Sequence, residues 1–138
     1  MFRRKLRLDL SPIHEKIFPF CKVPEDINWG NCFNWALVVK RLLHSYYTVD
    51  LYNDSNESHA FVKIRDLYFD SESPRGVKSN TKLHIHRHRR EQYSKLTPVH
   101  PLVFFNFWKE EGYARIWSTK EIDRKIAKSG LTVDDLKA

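Results

Sequence analysis

The chain has few residues that favour irregular or cross-linked structure: its 138 residues include four glycines, six prolines and two cysteines. Two cysteines form at most one disulfide, which excludes the disulfide-rich class of small secreted domains. No apolar run approaches the roughly 20 residues of a transmembrane helix, and the basic N-terminus lacks the apolar stretch of a secretory signal. We therefore expect no membrane span and a location in the cytoplasm, either of a cell or of an infected host.

The residues that are present indicate one folded domain over 1–138. Hydrophobic residues make up 41% and aromatic residues 14% of the chain, a composition that can form a buried core. Within this domain, residues 1–10 read as a basic arm or an edge strand, and residues 118–138 as a C-terminal helical segment. The net charge of +7 is compatible with a nucleic-acid or other anionic partner.

The pattern of apolar residues alternates between helical and strand periods, which predicts an α+β fold. A first helix should start with Ser11 as N-cap and Pro12 at its first position, and end before Pro19. A polar loop at 22–31 leads into the main helix. In chain order we then predict that helix at 32–46, strands at 47–52, 59–64, 67–70, 82–90 and 113–117, core residues at 102–108, and a capped helix from Ser118 to Gly130.

The strands at 59–64 and 67–70 should form a hairpin with residues 65–66 as its turn. Phe61 then faces Asp70 across the two strands, and His59 lies on the same face as Asp70 because side chains alternate along a strand. Diagonal neighbours of this kind lie about 7–8 Å apart at the backbone. The spacing therefore brings a carboxylate within reach of an imidazole, which it can orient.

Cys32 stands where the polar loop enters the main helix, after Gly30 and with Asn31 in the N-cap position. The first turn of a helix carries partial positive charge, which favours a thiolate. Backbone or side-chain N–H groups nearby can also stabilise an oxyanion. For that role the sequence leaves three candidates open, which are Asn28, Trp29 and Asn31.

Three segments together resemble the active-site segments of the papain-like cysteine peptidase superfamily, in its transglutaminase-like and NlpC/P60-like branches. They are GNCFNWA at 30–36, SHAFVKI at 58–64 and LYFDS at 67–71. The resemblance covers residues 28–72, about a third of the chain. It implies a central helix carrying the cysteine, packed on a small antiparallel sheet, with Cys32 as nucleophile, His59 as general base and Asp70 as the residue that orients the base.

The resemblance implies a cysteine hydrolase, a peptidase or amidase, or an acyltransferase, acting on a peptide, protein or other amide without a cofactor. A cysteine at a helix start and a strand histidine beside an aspartate also occur in proteins without catalytic activity. The alternatives are therefore an inactive papain-like binding module or a basic nucleic-acid-binding protein. Cys21, within an apolar run, fits a buried core position.

A histidine-rich segment offers a competing interpretation. Three alternating imidazoles would lie on one face of a strand, as in some zinc or copper sites; they are His84, His86 and His88. Neighbouring guanidinium groups would oppose a cation, so we predict no metal site there. Those guanidinium groups are instead the candidate contacts to nucleic-acid phosphates, and they belong to Arg87, Arg89 and Arg90.

Overall fold

The computed structural model describes residues 7–28, 30–54, 59–79, 82–83 and 116–138. In these ranges the chain forms helices and one small antiparallel sheet, which confirms the α+β class. The elements, in order, are α1 (Ser11–Ile17), α2 (Pro24–Asn28), α3 (Cys32–Leu43), β1 (Val49–Asp54), β2 (His59–Ile64), β3 (Leu67–Phe69), α4 (Thr119–Ser129) and a 3-10 helix (Val133–Leu136).

The sheet has the strand order β1-β2-β3, so β2 is its central strand. Ile64 pairs with Leu67 and Val62 with Phe69, which confirms the two-residue turn predicted at 65–66. Arg65, the first residue of that turn, has a φ of 53°, the left-handed conformation found at the first position of tight hairpin turns. The register of the sequence analysis is therefore correct.

Helix α3 lies against β2 and also contacts β1 and α4. Its apolar side chains occupy more than one side of the helix, as the sequence indicated, and most of them are buried. They meet the sheet residues Val62 and Ile64 in one core. The buried apolar residues of α3 after its first turn are Trp35, Ala36, Val38, Val39 and Leu43.

The two terminal segments of the described chain lie side by side. Leu8 and Lys137 form an antiparallel bridge, and the N–H of Asp9 donates to the carbonyl oxygen of Leu136 at 2.8 Å. Leu8 and Leu136 are buried. Leu8 and Leu10, which lie in the segment predicted to be an arm or edge strand, thus contribute to the core.

Several element boundaries differ from the predicted ones. The N-cap of α1 is Leu10, and Ser11 is the first helical residue. The backbone N–H of Ser11 donates to the Asp9 carboxylate. The predicted polar loop at 22–31 contains α2, which starts at Pro24, a favourable first helical residue. The main helix ends at residue 43 instead of 46, and β1 covers 49–54 instead of 47–52.

The C-terminal helix follows the prediction closely. Ser118 is the N-cap of α4 and accepts a hydrogen bond from the N–H of Glu121, and Gly130 ends the helix in the left-handed conformation. The elements predicted at 84–90, 102–108 and 113–115 lie outside the described residues. Among the residues that the structure does describe, no helix has the length and apolarity to cross a bilayer.

Candidate active site

Cys32 is the first residue of α3 and is almost fully buried, with 1% of its surface exposed. The backbone N–H of Ala60 donates to its sulfur at 3.4 Å. This contact joins the start of the central helix to the start of the central strand.

His59 is the first residue of β2 and is completely buried. Its ring atom Nε2 lies 3.1 Å from Oδ2 of Asp70, so the predicted diagonal pair is in contact. The ring also stacks at a tilt of 22° on that of Phe61, with 5.8 Å between centroids. The imidazole is therefore held both by a carboxylate and by an aromatic face.

Asp70 follows β3 directly, and its carboxylate is fixed on both oxygens. While Oδ2 meets His59, Oδ1 accepts hydrogen bonds from the N–H groups of Glu72 at 3.0 Å and Ser73 at 2.8 Å. Both donors belong to the turn after the strand. A carboxylate held in this way leaves the imidazole little freedom to rotate.

The electrostatics of the three groups favour a protonated His59. Burial, the largest influence, lowers the pKa of His59 because it penalises the charged ring. Side-chain hydrogen bonds with Asp70 and Cys32, and the negative charges of both, outweigh burial and raise this pKa from 6.5 to about 10. An imidazolium beside a sulfur and a carboxylate is the charge arrangement of an activated cysteine nucleophile.

The three oxyanion candidates have different outcomes. The amide of Asn28 bonds to Glu72 through Nδ2 and to Ser71 through Oδ1. Asn31 makes no side-chain cap to α3; its Oδ1 accepts a hydrogen bond from Asn34 at 3.3 Å. Trp29 lies outside the described residues. An oxyanion role for any of the three stays a prediction.

The roles of three polar groups near the site were not identified from the sequence. The Ser71 hydroxyl and the Glu72 carboxylate form hydrogen bonds with α2. These bonds could not be predicted from the sequence, because the residues of α2 were predicted to be a loop. Asn34, in the first turn of α3, accepts a hydrogen bond from the N–H of Trp117 at 2.9 Å. It thereby connects α3, the helix that carries Cys32, to the segment that precedes α4.

A cleft of about 590 Å³ opens between α1, α2 and the turn after β3. Trp35 lines it from α3, and Ser71 and Glu72 line it from the turn. Cys32, His59 and Asp70 do not belong to its lining. The cleft and the three candidate catalytic side chains are therefore separate features that share one wall, the turn after β3.

The histidine-rich segment and its arginines cannot be compared with the structure. His84, His86 and His88, and likewise Arg87, Arg89 and Arg90, lie outside the described residues. Within the described ranges, no three histidine, cysteine, aspartate or glutamate side chains come together as a potential metal site. A nucleic-acid interface at these arginines thus stays a prediction.

Comparisons with known proteins add no family assignment. No protein-family model matches the chain, and neither the curated proteins nor the solved structures give a significant match. The geometry of this site is therefore the basis for a functional proposal.

Proposed function

We propose that the protein is a cysteine-nucleophile hydrolase of papain-like architecture, a peptidase or amidase, that acts through Cys32, His59 and Asp70. One observation carries the proposal: the sulfur at the start of α3 lies against the start of β2, where it accepts a hydrogen bond from the N–H of Ala60. The residue before Ala60 is His59, and its ring is held by a buried carboxylate. Nucleophile, base and orienting group are the three parts that thiol catalysis requires.

The two ring nitrogens of His59 have separate roles in this proposal. Nε2 is bonded to Asp70, so Nδ1 is the nitrogen that exchanges a proton with Cys32. Asp70 holds the ring in one orientation and stabilises its positive charge. The N–H of Ala60 stabilises negative charge on the sulfur before it attacks.

The reaction proceeds in two halves. The Cys32 thiolate attacks the carbonyl carbon of the substrate, a C–S bond forms, and the amide C–N bond breaks as His59 gives its proton to the leaving amine. The neutral His59 then takes a proton from water, whose oxygen attacks the thioester carbon. The C–S bond breaks and the acid leaves. Cys32 is again a thiolate and His59 keeps the proton taken from water, which is the starting state of the site.

A small, flat ester tests the proposal without knowledge of the natural substrate. With p-nitrophenyl acetate, we expect release of nitrophenolate and an acetyl group on Cys32, located by peptide mass spectrometry. Cys32→Ala should abolish the acetylation, and His59→Gln should slow it by a factor of about 100 or more, the usual contribution of a positioned base.

The second cysteine provides the matched control. Cys21 is also buried, and burial raises its pKa, so Cys21→Ser should leave acetylation of Cys32 unchanged. Equal acetylation of the two thiols, or none at Cys32 in the folded protein, would contradict the proposal. The result would then favour the alternative of an inactive binding module with a buried polar core.

A further inference from the structure

We propose that Asn28 and Ser71 are positioning residues that hold the Asp70 carboxylate against His59. This inference rests on the proposed function, because positioning matters only if the His59 ring serves as a base. The side-chain hydrogen bonds of Asn28 and Ser71 join α2 to the turn after β3. They act through the turn after β3, which supplies the two N–H donors of Asp70.

The contacts form a clamp between α2 and that turn. The Ser71 hydroxyl lies 2.7 Å from the carbonyl oxygen of Pro24 and 3.0 Å from Oδ1 of Asn28, which share its hydrogen. Nδ2 of Asn28 donates to Oε1 of Glu72 at 3.1 Å. One short helix thus binds the two residues that directly follow Asp70.

The backbone of the same turn determines where the Asp70 carboxylate can lie. Oδ1 is held by the N–H groups of Glu72 and Ser73, so a rotation of the turn would move both donors and release the carboxylate. The side chain of Glu72 is held by Asn28, and the backbone N–H of Glu72 donates to the Asp70 carboxylate. Loss of the clamp should therefore loosen the contact between Asp70 and His59.

Helix α2 also connects to the nucleophile. The N–H of Asn31 donates to the carbonyl oxygen of Ile27 at 2.9 Å, and Asn31 directly precedes Cys32. A single element, α2, therefore contacts both the approach to the sulfur and the turn that holds the carboxylate. This arrangement fixes the separation of the two ends of the triad.

Burial supports a specific role for these polar groups. Asn28 and Ser71 are 6% and 4% exposed, and buried polar groups are costly unless each finds a partner. Networks of satisfied buried hydrogen bonds restrict a region to one conformation. The clamp therefore provides orientation that apolar packing alone would not specify.

The test compares Ser71→Ala and Asn28→Ala with the unmodified protein. We expect each variant to slow acetylation of Cys32 by p-nitrophenyl acetate by about tenfold, the effect of one lost hydrogen bond. We also expect the titration midpoint of the His59 ring, followed by nitrogen-detected NMR, to move to lower pH. A contact that is only structural would lower the unfolding temperature without moving this midpoint in the folded protein.

The chain offers a matched control in Ser129, whose hydroxyl also donates to a backbone carbonyl, that of Ile126, at 2.7 Å. Ser129→Ala should change neither the acetylation rate nor the His59 midpoint. Ser71→Thr keeps the hydroxyl and should restore both values toward those of the unmodified protein.

The outcomes separate this inference from the proposed function. If Ser71→Ala and Asn28→Ala fold and the His59 midpoint is unchanged, the positioning role is wrong. It is also wrong if the variants do not fold at all, because complete unfolding is what loss of a purely structural contact would cause. If the unmodified protein is not acetylated but the midpoint shifts in the variants, the hydrolase proposal fails while the coupling to Asp70 stands.

Discussion

The central feature at the scale of single residues is a histidine–aspartate pair with no exposed surface on either side chain. Removing two charged groups from water is expensive, and only close contact and further hydrogen bonds compensate for it. Here the carboxylate gains two backbone donors in addition to His59. The pair should therefore link the stability of the protein to pH.

We expect stability to fall as pH rises through the alkaline range. A group whose pKa is raised on folding stabilises the fold fully below its unfolded pKa, about 6.5 for histidine. This contribution is lost as the pH rises to the folded pKa of His59, about 10. Urea denaturation should show the free energy of unfolding decreasing across that interval.

The variant Asp70→Asn should alter this pH dependence. Removing the carboxylate lowers the pKa of His59 toward its ordinary value, so the alkaline loss of stability becomes flatter. At neutral pH the variant should be less stable by about 1.5–3 kcal/mol, the range for hydrogen bonds to charged groups. Urea denaturation at several pH values measures both effects.

An exposed ion pair gives the control for Asp70→Asn. The Arg41 and Asp123 side chains meet at 2.7 Å but are 44% and 47% exposed, so solvent screens their attraction. Asp123→Asn should leave the alkaline dependence intact. A wild-type protein whose stability is flat over the same interval would show that the folded His59 is not protonated there.

At the scale of elements, the hairpin shows how far sequence reasoning reached. The turn at 65–66 fixed the register, and the register in turn placed His59 diagonally to Asp70. Both steps are local, because alternation along a strand and the length of a turn are properties of neighbouring residues. For the same reason the Ser118 cap and the Gly130 stop of α4 were predicted correctly.

The elements that sequence reasoning missed depend on distant contacts. Helix α2 has only five residues and lies in a polar segment without an apolar period. Its bonds to Ser71 and Glu72 link residues more than 40 positions apart, and no local pattern reports them. The hydrogen bonds between α2 and the turn after β3 were therefore not predictable from the sequence, although the contact between His59 and Asp70 was.

The turn after β3 makes a close approach that a single methyl group should disturb. Gly76 has a φ of +85°, and a β-carbon there would lie 2.8 Å from a ring atom of Phe69. Gly76→Ala combines backbone strain with overpacking against the ring. It should therefore lower the free energy of unfolding by about 1–3 kcal/mol more than an alanine placed at a positive φ without such a contact. Thermal or urea unfolding measures the loss.

Gly130 is the matched position for strain alone. It also has a positive φ, +70°, but a β-carbon there would meet no atom within 4 Å. Gly130→Ala should therefore cost only about 1–2 kcal/mol. Equal losses for the two variants would mean that the Phe69 ring moves aside freely, and that this turn packs less rigidly than the structure indicates.

At the scale of the whole molecule, the candidate nucleophile is enclosed by its own fold. Cys32 is 1% exposed and His59 is fully buried, so any acyl group must enter through a local opening. Such openings occur in native proteins without global unfolding. Reagents of different size should therefore reach the sulfur at different rates.

Labelling of the Cys21→Ser protein tests this enclosure. For each reagent, the rate of Cys32 labelling in the native state is divided by the rate in the unfolded state. We expect this ratio to be lower for a bulky fluorescein maleimide than for iodoacetamide, by a factor on the order of ten. Mass spectrometry over time gives both rates.

An exposed thiol serves as the reference for this comparison. Phe20 is 60% exposed, so Phe20→Cys in a chain without the native cysteines should give similar ratios for the two reagents. A Cys32 that shows no discrimination by size would place the sulfur at the surface in solution.

The pairing of the first and last described segments makes the chain suitable for circular permutation. Arg7 and Ala138 share a backbone hydrogen bond, so in a permutant of residues 7–138 a short linker can join these two residues, and new ends can be opened at the 65–66 turn. In such a permutant His59 and Asp70 would lie near opposite termini of the polypeptide. Survival of their contact would show that the packed core, rather than the peptide link of the hairpin, brings imidazole and carboxylate together.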